Sequence, residues 1–268
     1  MDTTMWQEAR AVAEGLARQA GDVARSLFGT VSVERKSDNS PVTEADTRIQ
    51  RMLRDGFARR FPDHAFIGEE RLDDDQGRPA PGQADYCWVV DPLDGTRNFA
   101  HGFPVWCTSI ALMHGNAPVV GLVYEHMSGW LCSAVAGHGA FHDGRRARVA
   151  DYDLRRDRLI AVPSGRHQPI LPVIKLWADR YNLRNMGSTA LHMAYLASGA
   201  VDAVLSYECK IWDVAAGVLL IAEAGGRCTD LAGRPALSRE IAEYKGGNVP
   251  FFAATPAVFD ELFSELPA

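Results

Sequence analysis

The residues best suited to chemistry in this chain are carboxylates. Asp91-Pro92-Leu93-Asp94-Gly95-Thr96 directly follows the apolar run Tyr86–Val90, where a chain leaves a sheet edge and α/β proteins build ligand sites. Pro92 fixes one backbone angle and Gly95 frees another, so two side chains that would splay to opposite faces of a strand can converge. Hard oxygen donors that meet at one point suit Mg²⁺. The next residues, Gly95-Thr96-Arg97-Asn98-Phe99, can open a short helix whose free N–H groups hold a phosphate beside the metal.

Three further acidic motifs each have a plain explanation when taken alone. Glu69 and Glu70 follow Gly68 at another strand end, and an exposed acidic pair is ordinarily a solvated face. Asp213 heads the apolar run Trp212-Asp213-Val214-Ala215-Ala216-Gly217, as a helix-capping Asp would. Thr43-Glu44-Ala45-Asp46 reads as a capping box as readily as it reads as part of a site. Occurring together with the Asp91 hexapeptide, they read as one metal centre.

The elements that must position these groups follow from periodicity. Trp6, Ala9, Ala13, Leu16, Ala20, Val23 and Leu27 form the stripe of an amphipathic helix, and a second begins near Thr43 and stops at Pro62. His64–Ile67 and Tyr86–Val90 are too short for buried helices and read as strands, which places both acidic groups at strand ends. Cys107–Met113, Val119–Tyr124 and Trp130–Val135 read as an antiparallel meander. Beyond it, strands near Leu159–Val162, Leu183–Met186 and Val201–Tyr207 alternate with helices near Ile170–Asp179, Ser188–Ser198 and Asp213–Ala224, the rhythm of a layered α/β lobe. The polar stretch Arg71–Gln83 reads as a surface loop. This organisation suggests one unit of two lobes, residues 1–150 carrying most of the carboxylates and 151–268 contributing Asp213.

Composition narrows the function. A chain of 268 residues that is 47% hydrophobic can bury a substantial core. A net charge of −6 with scattered basic residues argues against a nucleic-acid footprint. Glu8, Arg10, Glu14 and Arg18 interrupt the N-terminal segment, so neither an export signal nor a membrane span is expected. Five cysteines without a CxxC pair fit reduced thiols in a cytoplasmic protein. Eight histidines without an HExxH motif disfavour zinc hydrolysis.

Asp91-Pro-Leu-Asp-Gly-Thr, Gly68-Glu-Glu and Trp212-Asp-Val-Ala-Ala-Gly, in that combination, resemble the signature set of the inositol monophosphatase family, from about Lys36 to about Gly226. Val120-Gly-Leu-Val-Tyr, Gly137-His-Gly-Ala-Phe and Asn185-Met-Gly-Ser-Thr-Ala extend the resemblance. It implies an α/β (α+β) fold, the layered αβαβα sandwich of the inositol monophosphatase and fructose bisphosphatase type, usually as a homodimer. It also implies two or three Mg²⁺ ions and hydrolysis of a small phosphate monoester by direct attack of water, without a covalent intermediate. Carried over by motif, Glu69, Asp91 and the Leu93 carbonyl would hold one metal, and Asp91, Asp94 and Asp213 the second. Glu69 and Thr96 would orient the water, with Asp46 accepting the Thr96 hydrogen bond, and the Gly95 and Thr96 amides would hold the phosphate.

The resemblance places the substrate side among Arg184, Gly187, Ser188, Thr189 and Glu208, with Lys210 as an additional candidate. Two departures stand out. The family commonly has a proline where His126 stands in Tyr124-Glu125-His126-Met127, and the segment Glu208–Asp213 is about two residues shorter than in inositol phosphatases. Ser40-Pro-Val-Thr-Glu-Ala-Asp is reminiscent of the histidinol-phosphatase branch, whereas Arg97-Asn-Phe-Ala-His-Gly-Phe-Pro leans towards inositol phosphatases. Inositol 1-phosphate or a similar polyol phosphate is therefore the expected substrate, with histidinol phosphate the alternative. A binding protein that keeps the fold without the reaction is a further alternative. Aspartyl-phosphate phosphatases use an Asp-x-Asp loop, but two residues separate Asp91 from Asp94 and the Glu69 and Asp213 motifs would go unexplained.

Overall fold

The computed structural model describes residues 3–30, 33–35, 41–70, 72, 79–151, 157–163, 170–237 and 241–267. Two long amphipathic helices, α1 (Thr3–Leu27) and α2 (Glu44–Arg60), flank the two-stranded ribbon of β1 (Val33–Arg35) and β2 (Pro41–Thr43). A seven-stranded sheet comes next: β3 (Ala65–Gly68), β4 (Tyr86–Asp94), β5 (Cys107–His114), β6 (Ala117–Glu125), β7 (Leu131–Val135), β8 (Gly139–His142) and β9 (Arg145–Arg146), paired in chain order. Short α3 (Thr96–Ala100) lies between β4 and β5. A five-stranded sheet is ordered β11-β10-β12-β14-β13, from β10 (Leu159–Ala161), β11 (Asn182–Arg184), β12 (Ala203–Ser206), β13 (Arg227–Thr229) and β14 (Phe251–Ala254). Around it are α4 (Pro172–Ala178), α5 (Thr189–Ala197), α6 (Ile211–Glu223) and α7 (Pro256–Ser264).

Five layers result. On one face of the large sheet Trp88, Val90, Ile110 and Leu122 pack with Ala13 and Ala17 of α1 and Ile49 and Phe57 of α2. On the other, Cys87, Val89, Ala111 and Val123 pack against Met193 of α5 and Val214 and Leu220 of α6. The outer face of the small sheet, with Ile160, Leu205 and Phe252, packs on Trp177 of α4 and Phe259 of α7. Helices α5 and α6 thus lie between two sheets, which explains why they are apolar nearly all round. Burial on both faces likewise accounts for β4, β5 and β6 being largely apolar without an inside–outside alternation.

The order of layers is αβαβα, as the resemblance implies. The small sheet differs from a simple alternating pattern. Its β10 is parallel to β11 and β12, but β14 returns antiparallel between β12 and β13. Most of the expected surface loop at 71–83 lies outside the described residues.

Candidate metal centre

Strand β4 does not end at Val90; it runs through the acidic hexapeptide to Asp94. Its ladder with β5 pairs Asp91 with Ser109 and Asp94 with Cys107, and the register shifts between them. Pro92 and Leu93 therefore oppose Thr108 alone, a bulge at the residue that lacks a ladder donor. Three positions apart on a regular strand, Asp91 and Asp94 would face opposite sides of the sheet. The extra residue turns both inward, and ligand oxygens of Asp91, Asp94 and Asp213 lie within 4.8 Å of one another.

Each carboxylate is held by one oxygen. Asp91 Oδ1 accepts from the Leu93 amide at 2.9 Å. Asp94 Oδ2 accepts from the Ser188 hydroxyl and the Ala190 amide, both at 2.7 Å. Asp213 is the third residue of α6, not its cap; its Oδ2 accepts from the amide of Lys210, the cap residue, at 2.7 Å. Asp46 stands in the same position on α2: Oδ2 accepts from the Thr43 amide at 2.7 Å and the Thr43 hydroxyl at 2.6 Å. Its other oxygen lies 3.1 Å from Thr96 Oγ1, which is also 3.1 Å from the Leu93 carbonyl. Asp46 is thus a cap on one oxygen and a partner of Thr96 on the other.

Glu69 leaves β3 with its amide bonded to the Val90 carbonyl at 3.2 Å, and its charge bears on Asp46, Asp91, Asp94 and Asp213. Burial and this mutual repulsion raise the affinity of the cluster for protons. The carboxyls of Asp46 and Asp94 are each pushed up to about 6. Asp91 and Asp213 go well above the ordinary carboxylate range and are close enough to share a hydrogen-bonded proton. Oxygen-only donors that repel one another in partly desolvated surroundings fit a hard divalent cation, which would neutralise them.

The residues expected on the substrate side divide. Ser188 is buried and committed to Asp94, and Thr189 opens α5 beside it. Gly187 adopts a left-handed φ of +73° next to the Asn98 side chain. The Oε1 of Glu208 is buried without a hydrogen-bond partner among the described residues. Arg184, on the edge strand β11, is exposed and donates to the neighbouring Leu183 carbonyl. Lys210 Nζ is taken up by the Gly246 carbonyl at 2.7 Å and Asn248 Oδ1 at 2.9 Å, so it fastens the 244–249 segment over the start of α6. The Gly95 amide hydrogen-bonds the Asp94 carboxylate.

Two supporting residues carried no signal in the sequence. Gln50, buried on α2, receives the Glu70 amide at 2.8 Å and donates to the Glu70 carbonyl at 2.5 Å, which clamps the acidic turn. Asn98 donates to the Val105 and Met186 carbonyls at 2.6 and 2.7 Å and ties α3 to the loop before α5. Both are amides that serve backbone of other segments, Glu70 for Gln50 and Val105 and Met186 for Asn98, so only the fold reveals their partners.

Residues 5–255 match the model of the inositol monophosphatase family. Inositol monophosphatase 1 of Sus scrofa is 32% identical over 240 residues, 86% of each chain. The fructose-1,6-bisphosphatase/inositol-1-monophosphatase of Aquifex aeolicus is 31% identical over 233 residues, covering 84% of this chain and 86% of its own. The crystal structure of extragenic suppressor protein suhB from Bartonella henselae superimposes with a TM-score of 0.83 at 28% identity, covering 96% of this chain and 98% of that one.

Proposed function

Because the chain belongs to the inositol monophosphatase family and is by that membership a phosphoric monoester hydrolase, we propose that it hydrolyses a small polyol phosphate with Mg²⁺, inositol 1-phosphate or a close analogue foremost. The observation that carries this reading is the convergence of Asp91, Asp94 and Asp213 oxygens within 4.8 Å beside Glu69. Glu69, Asp91 and the Leu93 carbonyl would hold one ion, and Asp91, Asp94 and Asp213 another. When bound, such ions lower the pKa of water and neutralise charge on the departing oxygen. Asp46, kept ionised, draws the Thr96 proton towards Oδ1, so that the Thr96 oxygen presents a lone pair that orients the attacking water together with Glu69. The Thr96 amide at the start of α3 would hold the phosphate, while the Gly95 amide, already turned to the Asp94 carboxylate, would support the wall of the site instead of donating to the phosphate as the motif alone implies. Glu208, whose Oε1 lacks a partner among the described residues, would accept a hydrogen bond from a substrate hydroxyl, and Gly187, Ser188 and Thr189 would shape that wall; Arg184 would act only on a substrate long enough to reach the β11 edge.

The working unit we propose is a cytoplasmic homodimer, each protomer a single unit with lobes 1–150 and 151–268. Among the described residues no helix is long and apolar enough to cross a membrane. Phosphate release from inositol 1-phosphate, histidinol phosphate, fructose 1,6-bisphosphate and 3′-phosphoadenosine 5′-phosphate, with and without Mg²⁺, tests the reading. Mg²⁺-dependent release, fastest from inositol 1-phosphate and lost in Asp213→Asn, is expected. Histidinol phosphate as the best substrate would move the chain to the other branch, and no release from any ester would favour a binding role.

A further inference from the structure

The bulge that turns Asp91 and Asp94 inward leaves Pro92 and Leu93 outside the β4–β5 ladder. The Pro92 carbonyl therefore needs another donor. It takes the Thr108 hydroxyl at 2.8 Å, and Thr108 is wholly buried. Thr108 Oγ1 is in turn 3.0 Å from Nε2 of His126, itself wholly buried one residue beyond the end of β6.

One assignment of protons satisfies this chain. A hydroxyl has a single hydrogen. If Thr108 gives it to Pro92, His126 must carry its proton on Nε2 and donate to Thr108. The reverse tautomer would deprive the Pro92 carbonyl of its donor and bury an N–H at Nδ1 that has no partner among the described residues, the costlier defect. The ring is held there from every side. Trp106 packs against it with centroids 4.9 Å apart, Tyr124 meets it edge-on at 5.4 Å, and Arg25 donates to the His126 carbonyl at 2.5 Å. From α1, a Cβ on Gly21 would come within 2.9 Å of Nδ1, so only glycine admits the imidazole at this depth. Burial and the nearby Arg25 push the ring down to about 3, which keeps it neutral with one proton to place.

We infer that His126 is a positioning residue of the metal centre, acting through Thr108 on the Pro92 carbonyl and so fixing the bulge that aims the Asp91 carboxylate and the Leu93 carbonyl. The inference rests on the metal site proposed above. It assigns work to the one position where this chain has histidine in place of the proline that the resemblance leads one to expect, a residue with no side-chain donor at all.

Titration of metal-free protein with Mg²⁺ alone, followed calorimetrically without substrate, is the test. Outer-shell partners of metal ligands are worth about 10- to 100-fold in affinity, so His126→Leu should weaken Mg²⁺ binding at least tenfold. His126→Gln, which can present an amide donor near the Nε2 position, should bind within about threefold of the parent. Thr108→Val should match His126→Leu, and the double variant should be no weaker than either single one, because both cut the same chain. Equal losses in His126→Gln and His126→Leu would show that packing alone matters and overturn the inference, as would multiplying losses in the double variant or no loss in His126→Leu. Failure of the parent protein itself to bind Mg²⁺ would remove the metal site and this inference with it, an outcome distinct from normal binding by every variant.

Discussion

Replacing Asp94 by Asn should make the metal-free protein more stable at neutral pH while abolishing its response to Mg²⁺. The substituted amide keeps a carbonyl oxygen where Ser188 and the Ala190 amide donate at 2.7 Å, so what is removed is chiefly the charge. Burial and neighbouring carboxylates hold the Asp94 carboxyl at about 6 against an ordinary 3.8, which costs the ionised native state ~3 kcal/mol. Because the side chain is only half-buried, screening trims this to about 2 kcal/mol. The sign follows from proton binding. Between the unfolded and folded values the native state holds more protons than the unfolded one, so the contribution of Asp94 is fully present below about pH 4 and is lost as pH rises through about 6. The amide of the variant titrates nowhere, and the stability difference, variant minus parent, should climb from near zero at pH 4 to about 2 kcal/mol above pH 7. Urea unfolding in EDTA at several pH values reads this, and taking the difference cancels the opposite trends of buried His126 and His192, pushed down to about 3 and 4. A variant that is less stable than its parent at pH 8, or a difference that does not depend on pH, would refute the reasoning.

Two further substitutions separate the parts of the site. Gly95 sits at φ +99°, and a Cβ there would lie 3.0 Å from the Val105 carbonyl oxygen and 3.2 Å from Trp106 Cβ; Gly95→Ala should cost about 1–3 kcal/mol in thermal or urea unfolding and reduce phosphatase turnover at least tenfold. Ser188→Ala removes a charge-assisted hydrogen bond worth about 1.5–3 kcal/mol from Asp94, so the Mg²⁺ concentration for half-maximal activity should rise. KM for the phosphate ester at saturating Mg²⁺ should stay within twofold; a selective rise in KM would instead make Ser188 a substrate contact.

Much of the fold was legible because the signals are local. The α1 and α2 stripes appear in the sequence as periodicity, and the meander of β5, β6 and β7 as short apolar runs divided by turn residues, within a few residues of their observed ends. What escaped depends on partners far away. Asp94 meets Ser188 and Ala190 across more than ninety positions, and Gln50 reaches Glu70 from another element. The bulge at Pro92 was half legible: Pro and Gly announce an irregular backbone, but which strand lies opposite, and that Thr108 fills the gap, requires the paired strand. Phe251–Ala254, four apolar residues with no alternation, joins the small sheet as antiparallel β14, and a run that short carries no direction.

The apparent conflict between cap and catalyst at Asp46 and Asp213 dissolves once their two oxygens are considered separately. Aspartate at the third position of a helix reaches back to the amide before it, as Asp46 Oδ2 does to Thr43 and Asp213 Oδ2 to Lys210. Asp94 uses the first turn of α5 in the same way from outside that helix. Each such bond supplies a partner to an amide the helix itself cannot satisfy and places a negative charge where the helix dipole favours it. It also fixes the rotamer, so the second oxygen is aimed without further restraint. Backbone donors on one oxygen lower each carboxyl's proton affinity, while burial and repulsion raise it. The balance leaves a cluster that is strained when empty of cations yet already pointed inward. A mutation that spared the charge but broke the cap should therefore weaken metal binding through lost aim, whereas one that spared the cap but removed the charge, as in Asp94→Asn, should stabilise the fold and end catalysis.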